Sequence, residues 1–358
     1  MRAALISLGS KSSNWTVDAM RKYFDVVDDV NLKNIEVHLG IGKLDVLYNG
    51  QPLPKYDCIY AKGSFRYAPI LRSLTRALSP PAYMPIKAAT LTIGHDKLLT
   101  HLALQLYKTP MPTTYIASSP EGAKKILGKV SYPIVMKFPQ GTQGKGVMFA
   151  DSFASASSLL DALTALRQPF LIQEYIETGG IDIRAIVIGD EVIAMKRKAE
   201  RGEARANIHA GGRGEACSLD NHTKRIAIDA AQSIGADICA IDILEGPKGP
   251  LVIEANLSPG LQGITAATNL NVADKIAKFL YKKTKEIVES GKKLATTKIL
   301  EDVSKRPDEK MIEGIITNLD FRGERILLPK VVTDMTKFDE KKEVVIKAKK
   351  GQVVIEGD

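Results

Sequence analysis

Two acids and an amide interrupt what otherwise reads as a buried hairpin. The stretches Ala240-Ile-Asp-Ile-Leu-Glu-Gly246 and Gly249-Pro-Leu-Val-Ile-Glu-Ala-Asn256 are short and apolar, and they meet in a Glu-Gly-Pro-Lys-Gly-Pro turn. That is the pattern of a β-hairpin. Glu254 and Asn256 are two residues apart and share one strand face, with Asp242 within cross-strand reach. Two carboxylates and an amide on a half-buried surface are unfavourable unless a cation neutralises them. Oxygen ligands suit a hard ion such as Mg²⁺, which keeps waters and shares its shell with substrate phosphates. The alternative is an acid pair held by Arg or Lys. The interrupted strands and the Ser258-Pro-Gly260 turn that follows favour metal.

Other residues upstream have the chemistry of an anion site. Gly141-Thr-Gln-Gly-Lys-Gly146 joins two strand-like segments, and glycine lets backbone N–H groups approach phosphate oxygens closely. Alone it could equally be a hairpin turn, and it is not a Walker A loop. Lys137, on the apolar strand before it, shifts the balance, because an inward-facing lysine needs an anion. Lys97 opens a helix on His-Asp-Lys and reads either as a second phosphate contact or as a solvated surface lysine. Gln173-Glu-Tyr-Ile176 ends a strand with polar groups suited to an adenine edge. Asp182 and Arg184 share a strand face, either as a salt bridge or with Arg184 neutralising a transferring phosphate. Arg197, Arg205 and Asn207 point to an anion-binding wall in a basic stretch that a solvated hairpin would also explain. No Ser-His-Asp order, H-E-x-x-H or Cys-His pairing stands out, so a protein nucleophile has little support.

These residues need rigid strands and helices to position them. Residues 2–8 and 56–60 read as buried strands, each followed by a helical pattern (14–23 and 69–77), which suggests a small α/β domain. A helix is expected from about His95 to Tyr107, strands at 132–138, 146–149 and 170–176, and a helix from the Ser-rich stretch 152–158 through Leu166. Gly189-Asp190 is a hairpin turn between strands 183–188 and 191–196. Helices are expected at 223–234 and 271–290, the latter ended by Gly291, followed by a Lys-rich linker. The chain of 358 residues is 44% hydrophobic and 25% charged, ordinary for a globular protein. No apolar run reaches the roughly 18 residues that span a bilayer. Three widely spaced cysteines, Cys58, Cys217 and Cys239, argue for a reducing cytoplasm and against zinc or a disulfide framework. The +9 net charge lies wholly in the first 296 residues, since residues 297–358 carry 13 basic and 13 acidic side chains. A basic body suits a polyanionic ligand or an acidic partner. Aromatics are only 6% and form no basic-aromatic stripe, which disfavours nucleic acid.

Taken in order, these stretches resemble the RimK-type ATP-grasp ligases, the alpha-L-glutamate ligase and LysX-like family. The resemblance rests on His95-Asp-Lys-Leu98, Val135-Met-Lys-Phe-Pro-Gln-Gly-Thr-Gln-Gly-Lys-Gly-Val147, Ile172–Ile176 and Asp182-Ile-Arg184. It continues through Arg205-Ala-Asn-Ile-His-Ala-Gly-Gly212, Ile241–Leu244 and Leu251–Ile264, and covers roughly residues 1–285. It implies a mixed α/β and α+β ATP-grasp fold with a pre-ATP-grasp α/β domain at 1–90. A central lid subdomain would span 91–177 and a C-terminal subdomain 178–290, followed by a charged linker at 291–311. It further implies two Mg²⁺ ions, with Mn²⁺ as a substitute, held by Asp242, Glu254 and Asn256. Lys97, Lys137, Gly141, Thr142, Gln143, Gly144, Gly146, Arg205, Ala206 and Asn207 would surround the ATP phosphates or the acceptor. Gln173, Glu174, Tyr175 and Ile176 would meet adenine, Asp182 the ribose region, and Arg184 and Arg197 an acyl phosphate.

The partners implied are ATP, glutamate or a similar amino acid, and an acidic acceptor: a protein C-terminus, a coenzyme or a carrier protein. A small-molecule ATP-grasp kinase is the alternative, as is a non-catalytic regulator with a DNA-binding tail. Residues 312–358, with Arg325-Ile-Leu-Leu-Pro-Lys330, Glu343-Val-Val-Ile-Lys347 and Gly351–Ile355, resemble an AbrB-type swapped-hairpin module. That resemblance implies a homo-oligomer held by the core and the tail, and the tail's zero net charge disfavours DNA.

Overall fold

The most apolar run near the N-terminus, Ala3–Ile6, becomes the centre of the first sheet and is fully buried. In the computed structural model this strand, β1 (Arg2–Ser7), pairs in parallel with β2 (Val26–Asn31) on one side. The model describes all residues except 42, 80–81, 142–145, 199–212, 305–319, 338–342, 350–351 and 358. The first helix, α1 (Lys11–Met20), is capped by Ser10, whose hydroxyl accepts from the Ser13 N–H. A small antiparallel sheet follows, made of β3 (Ile35–Gly40), β4 (Lys43–Tyr48) and β5 (Gln51–Pro52). β6 (Cys58–Ala61) then returns to pair in parallel with β1, and α2 (Ala68–Ala77) follows it.

Two short helices lead into the next layer, α3 (Ala88–Gly94) and α4 (Lys97–Leu106). The expected helix start at His95 falls two residues later, because Asp96 is the N-cap: its carboxylate accepts from the Leu98 and Leu99 N–H groups. A four-stranded antiparallel sheet contains β7 (Thr114–Tyr115), β8 (Ile134–Lys137), β9 (Val147–Ala150) and β10 (Leu171–Glu174), in the order β7-β10-β8-β9. It is backed by α5 (Pro120–Leu127) and α6 (Phe153–Ala165).

The largest sheet has β11 (Ile181–Ile188), β12 (Glu191–Lys198), β13 (Arg213–Cys217), β14 (Ile238–Gly246) and β15 (Gly249–Asn256), in the order β13-β12-β11-β14-β15. The helices α7 (Asn221–Ser233), α8 (Gln262–Thr268) and α9 (Val272–Ser304) accompany it. One apolar core runs from β1 and β6 through to β11, β14 and the start of α9. A second, including Leu127, Met136, Leu160 and Ile172, lies under the four-stranded sheet.

Gly291 does not end α9, which continues to Ser304 through part of the expected linker. Lys292, Lys293, Leu294, Ala295, Lys298, Leu300 and Glu301 follow Gly291; all are good helix formers, and a single interior glycine costs a helix only about 1 kcal/mol. The chain divides into two compact units, 1–295 and 296–358. The second holds the hairpins β16 (Asp320–Arg322)–β17 (Arg325–Leu327) and β18 (Val344–Lys349)–β19 (Gln352–Gly357), with α10 (Lys330–Thr336) between them in sequence. Among the described residues no helix is long and apolar enough to cross a membrane.

Candidate active site

A cavity of about 390 Å³ is lined from the four-stranded sheet, the five-stranded sheet, the loop after β6 and the α3–α4 junction. Its walls include Lys97, Lys137, Gly141, Gln173, Glu174, Tyr175, Ile176, Asp182, Arg184, Arg197, Asp242, Glu254 and Asn256. Gly146 stands just outside this lining, next to Val147. Thr142, Gln143 and Gly144, together with Arg205, Ala206 and Asn207, lie outside the described residues.

Strand register explains why the charges converge. Arg184 on β11 faces Asp242 on β14, which faces Glu254 on β15. A β-bulge between Asp242 and Ile243 puts Val252, not Ile253, opposite Ile243. In a regular strand Val252 and Glu254 would share a face. The extra residue lets Val252 enter the core while Glu254 turns to the cavity beside Ile253.

Asp242 is held by two arginines. Arg184 donates through Nε and Nη2 at 2.8 and 2.7 Å, and Arg197 Nη2 lies 3.0 Å away. Arg197 also grips both oxygens of Asp182 at 2.6 Å. Thus Asp182 and Arg184, expected as a possible pair, each bond across strands instead, since residues i and i+2 point out side by side. Burial opposes ionisation of Asp242, but the two guanidiniums outweigh it and hold the carboxyl below the usual range. Burial pushes Asp182 the other way, with the Asp242 charge adding to it. Lys97 Nζ is 3.6 Å from Glu254 and donates to the Gly141 carbonyl at 3.1 Å. The Asn256 amide oxygen accepts from the Ser258 N–H at 3.0 Å.

Among the described residues no group of three or more His, Cys, Asp or Glu side chains could hold a metal. The donor set is two carboxylates and an amide. It fits a hard ion that completes its shell with phosphate and water, because a carboxylate bonded to arginine keeps further lone pairs.

Lys137 depends on a residue that sequence reasoning missed. Its Nζ donates to the Gln173 side-chain oxygen at 2.6 Å, and the Gln173 amide nitrogen bonds Thr114 Oγ1 and His101 Nε2, each at 2.8 Å. His101 Nδ1 sits 2.7 Å from the Lys97 carbonyl. A carbonyl only accepts, so Nδ1 carries the proton and Nε2 accepts from Gln173. Burial lowers His101 to about 4, keeping it neutral, and lowers Lys137 to about 8. The only sequence signal for His101 was its place one turn after Lys97.

At the adenine end, Glu174 spends one carboxylate oxygen on the Thr113 N–H and hydroxyl. The Tyr175 ring meets Phe149 edge-on, with centroids 5.9 Å apart. Phe149 on β9 lines the cavity too, a second residue the sequence reading passed over. An aromatic standing out on the solvent side of a short strand was its signal.

Comparison with known proteins gives this cavity a family. The model of the RimK-like ATP-grasp domain matches residues 94–280. A probable alpha-L-glutamate ligase of Legionella pneumophila (strain Corby) is 38% identical over 245 residues, covering 66% of this chain and 80% of the relative. A probable alpha-L-glutamate ligase of Marinomonas sp. (strain MWYL1) is 34% identical over 291 residues, covering 79% of this chain and 96% of the relative. Among solved structures, the ATP-grasp ligase PsnB complexed with a phosphomimetic variant of minimal precursor, Mg and ADP superposes with a TM-score of 0.62 at 17% identity. The match covers 79% of this chain and 98% of that one.

Proposed function

The chain belongs to the RimK-like ATP-grasp family, and from that premise we propose that it is an ATP-dependent carboxylate–amine ligase that adds L-glutamate to an acidic acceptor. The observation that carries this reading is the convergence of Lys97, Lys137 and Arg184 with Asp242, Glu254 and Asn256 in one cavity. A carboxylate oxygen of the acceptor attacks the γ-phosphorus of ATP and ADP leaves. The α-amine of glutamate then attacks the acyl carbon, phosphate leaves, and the amine gives up a proton. Nothing in this sequence needs a protein nucleophile. It needs cations around phosphate and fixed positions for the reacting groups.

Lys97 and Lys137 are assigned to the nucleotide phosphates, the latter aimed by Gln173 and His101. Arg184 and Arg197 face the developing acyl phosphate from the five-stranded sheet. Asp242, Glu254 and Asn256 would hold Mg²⁺, which when bound neutralises phosphate charge. The β8–β9 hairpin, with Gly141 and Gly146 at its ends, would cover the nucleotide and exclude water, since an acyl phosphate hydrolyses readily. Phe149 and Tyr175 offer aromatic surface to the base. The basic first 296 residues suit an acidic acceptor. The glutamate assignment draws support from the relatives at 34 and 38% identity.

The test incubates the protein with Mg-ATP, glutamate and a panel of acidic peptides, coenzymes and carrier proteins. Products gaining the mass of one glutamyl residue, with ADP and phosphate released, are expected. A phosphorylated product in place of free phosphate would make the protein a kinase. Glu254→Ala should reduce ADP formation at least a hundredfold, and wild-type turnover in that variant would refute the metal assignment.

A further inference from the structure

The nucleotide wall leaves part of the cavity lining without a role. Gly63, Ser64 and Phe65, the loop directly after β6, line the cavity, and so do Gly94 and His95 at the end of α3. These are the two ends of one stretch of chain, residues 63–95, which leaves the cavity and returns to it. The stretch carries Arg66, Arg72, Arg76 and Lys87 and no Asp or Glu. At the chain's average of 41 acids in 358 residues, these 33 would hold nearly four. The bases are not in excess; the missing acids leave them unopposed.

The fold turns these bases away from the core. α2 buries Ala68, Leu71, Leu74 and Thr75, and Arg72 and Arg76, four residues apart, share a flank that the core leaves free. Arg66 and Arg76 are exposed and Arg72 is half-buried. Arg184, Arg197 and Arg225 each meet a carboxylate. Among the described residues Arg66, Arg72 and Arg76 meet none. Their surface adjoins the cavity wall, because α2 packs on α3 and the Arg72 charge reaches His95. Burial, with that charge adding to it, lowers the His95 imidazole to about 4. The end of α3 is in turn packed on the turn after β15, where a Cβ on Gly94 would come within 2.8 Å of the Leu257 side chain.

We propose that Arg66, Arg72 and Arg76 form a docking face for an acidic peptide, the chain end of a protein acceptor, whose reacting carboxylate passes Gly63–Phe65 and His95 into the cavity. This rests on the ligase reading above for what is made, but the docking needs no turnover. Charge complementarity sets the sign of the partner, and length sets its class. α2 begins three residues after Phe65 and has ten residues, which extend about 15 Å. A peptide at about 3.3 Å per residue covers that length with roughly five residues. It can keep its end in the cavity and still meet Arg76, one turn beyond Arg72. A compact molecule seated in the cavity has no arm for that.

Fluorescence anisotropy of labelled hexaglutamate with the full chain, Mg²⁺ and a non-hydrolysable ATP analogue tests this. The variant Arg66→Gln/Arg72→Gln/Arg76→Gln is set against wild type and against Lys125→Gln/Lys129→Gln/Arg167→Gln, which removes the same charge around the ends of α5 and α6. The α2 variant should bind hexaglutamate at least tenfold more weakly than wild type, and the control variant within twofold of it. All three should bind the nucleotide analogue within twofold of one another. Glutamyl-glutamate, about 7 Å long, should lose less than threefold. Arg76→Glu alone, an exposed change that spares the core, should weaken hexaglutamate at least fivefold at an unchanged unfolding temperature. Equal losses in the α2 and control variants would make the effect one of net charge, and equal losses for the dipeptide would move it into the cavity. Hexathymidylate bound as tightly as hexaglutamate would make the face a nucleic-acid surface. Each of these overturns the assignment, as does a wild type that binds no hexaglutamate. If docking and its loss are as expected but no acceptor gains a glutamyl residue, the ligase reading fails and the docking face stands.

Discussion

Residues that touch no phosphate can decide how those that do are presented. Lys137 is aimed by a relay whose last member, His101, must be neutral: protonation would set an Nε2–H against the Gln173 NH₂ group. His101 titrates near 4 when folded and near 6.5 when unfolded. Between those values the unfolded chain binds more protons, so stability is greatest above 6.5 and falls as pH drops toward 4. For this one group the loss from pH 6.5 to 5 is about 1.5 kcal/mol. His95 contributes in the same direction. Urea unfolding of His101→Gln should therefore show a shallower pH dependence over that range than wild type. Equal slopes would mean the ring is already charged in the fold. Lys137, Arg184, Asp242 and Glu254 were legible from the sequence because they interrupt apolar strands. His101 was not, since a polar residue in an amphipathic helix is usually solvated, and only tertiary packing buries it against Gln173.

At the scale of elements, the β8–β9 hairpin has a constraint at its base. Gly146 adopts φ +80, and a Cβ there would run into the Phe138 ring. Gly146→Ala meets both obstacles, one conformational at about 1–2 kcal/mol and one steric. Denaturant unfolding should show a loss of about 2 kcal/mol or more, with nucleotide affinity reduced as the hairpin shifts. Adding Phe138→Ala should relieve the steric part only, leaving a coupling of roughly 1 kcal/mol in a double-mutant cycle. Strict additivity would remove Phe138 from the explanation. Such strands and their turns were readable from period-two patterns. The β3–β4–β5 sheet was passed over although Ile35-Glu-Val-His-Leu39 alternates apolar and polar residues, because its largely exposed strands carry no buried apolar run to mark them as core. Also unreadable was the Asp242–Ile243 bulge, which leaves no mark in composition yet decides which way Glu254 points.

At the scale of the molecule, the first unit holds the cavity and the second holds two hairpins with apolar side chains turned outward. Val345 and Ile346 on β18 are 56% and 62% exposed, and Val353 on β19 is 60% exposed. Val345 and Ile346 are adjacent, so they occupy opposite faces of the hairpin. A lone two-stranded hairpin is marginal in water, and one that is apolar on both faces needs a covering surface. The expected AbrB-like exchange of hairpins would supply it from a second copy of the chain, and the tail's equal counts of 13 basic and 13 acidic residues oppose no such approach. We propose that the second unit drives self-association and leaves the nucleotide site intact. Sedimentation of the full chain should give a dimer or higher species at micromolar concentration. A chain ending at residue 295 should sediment at least one step lower and bind Mg-ATP within twofold of the full chain. The same association state in both would locate the interface in the first unit, and lost nucleotide binding would tie the second unit to the site.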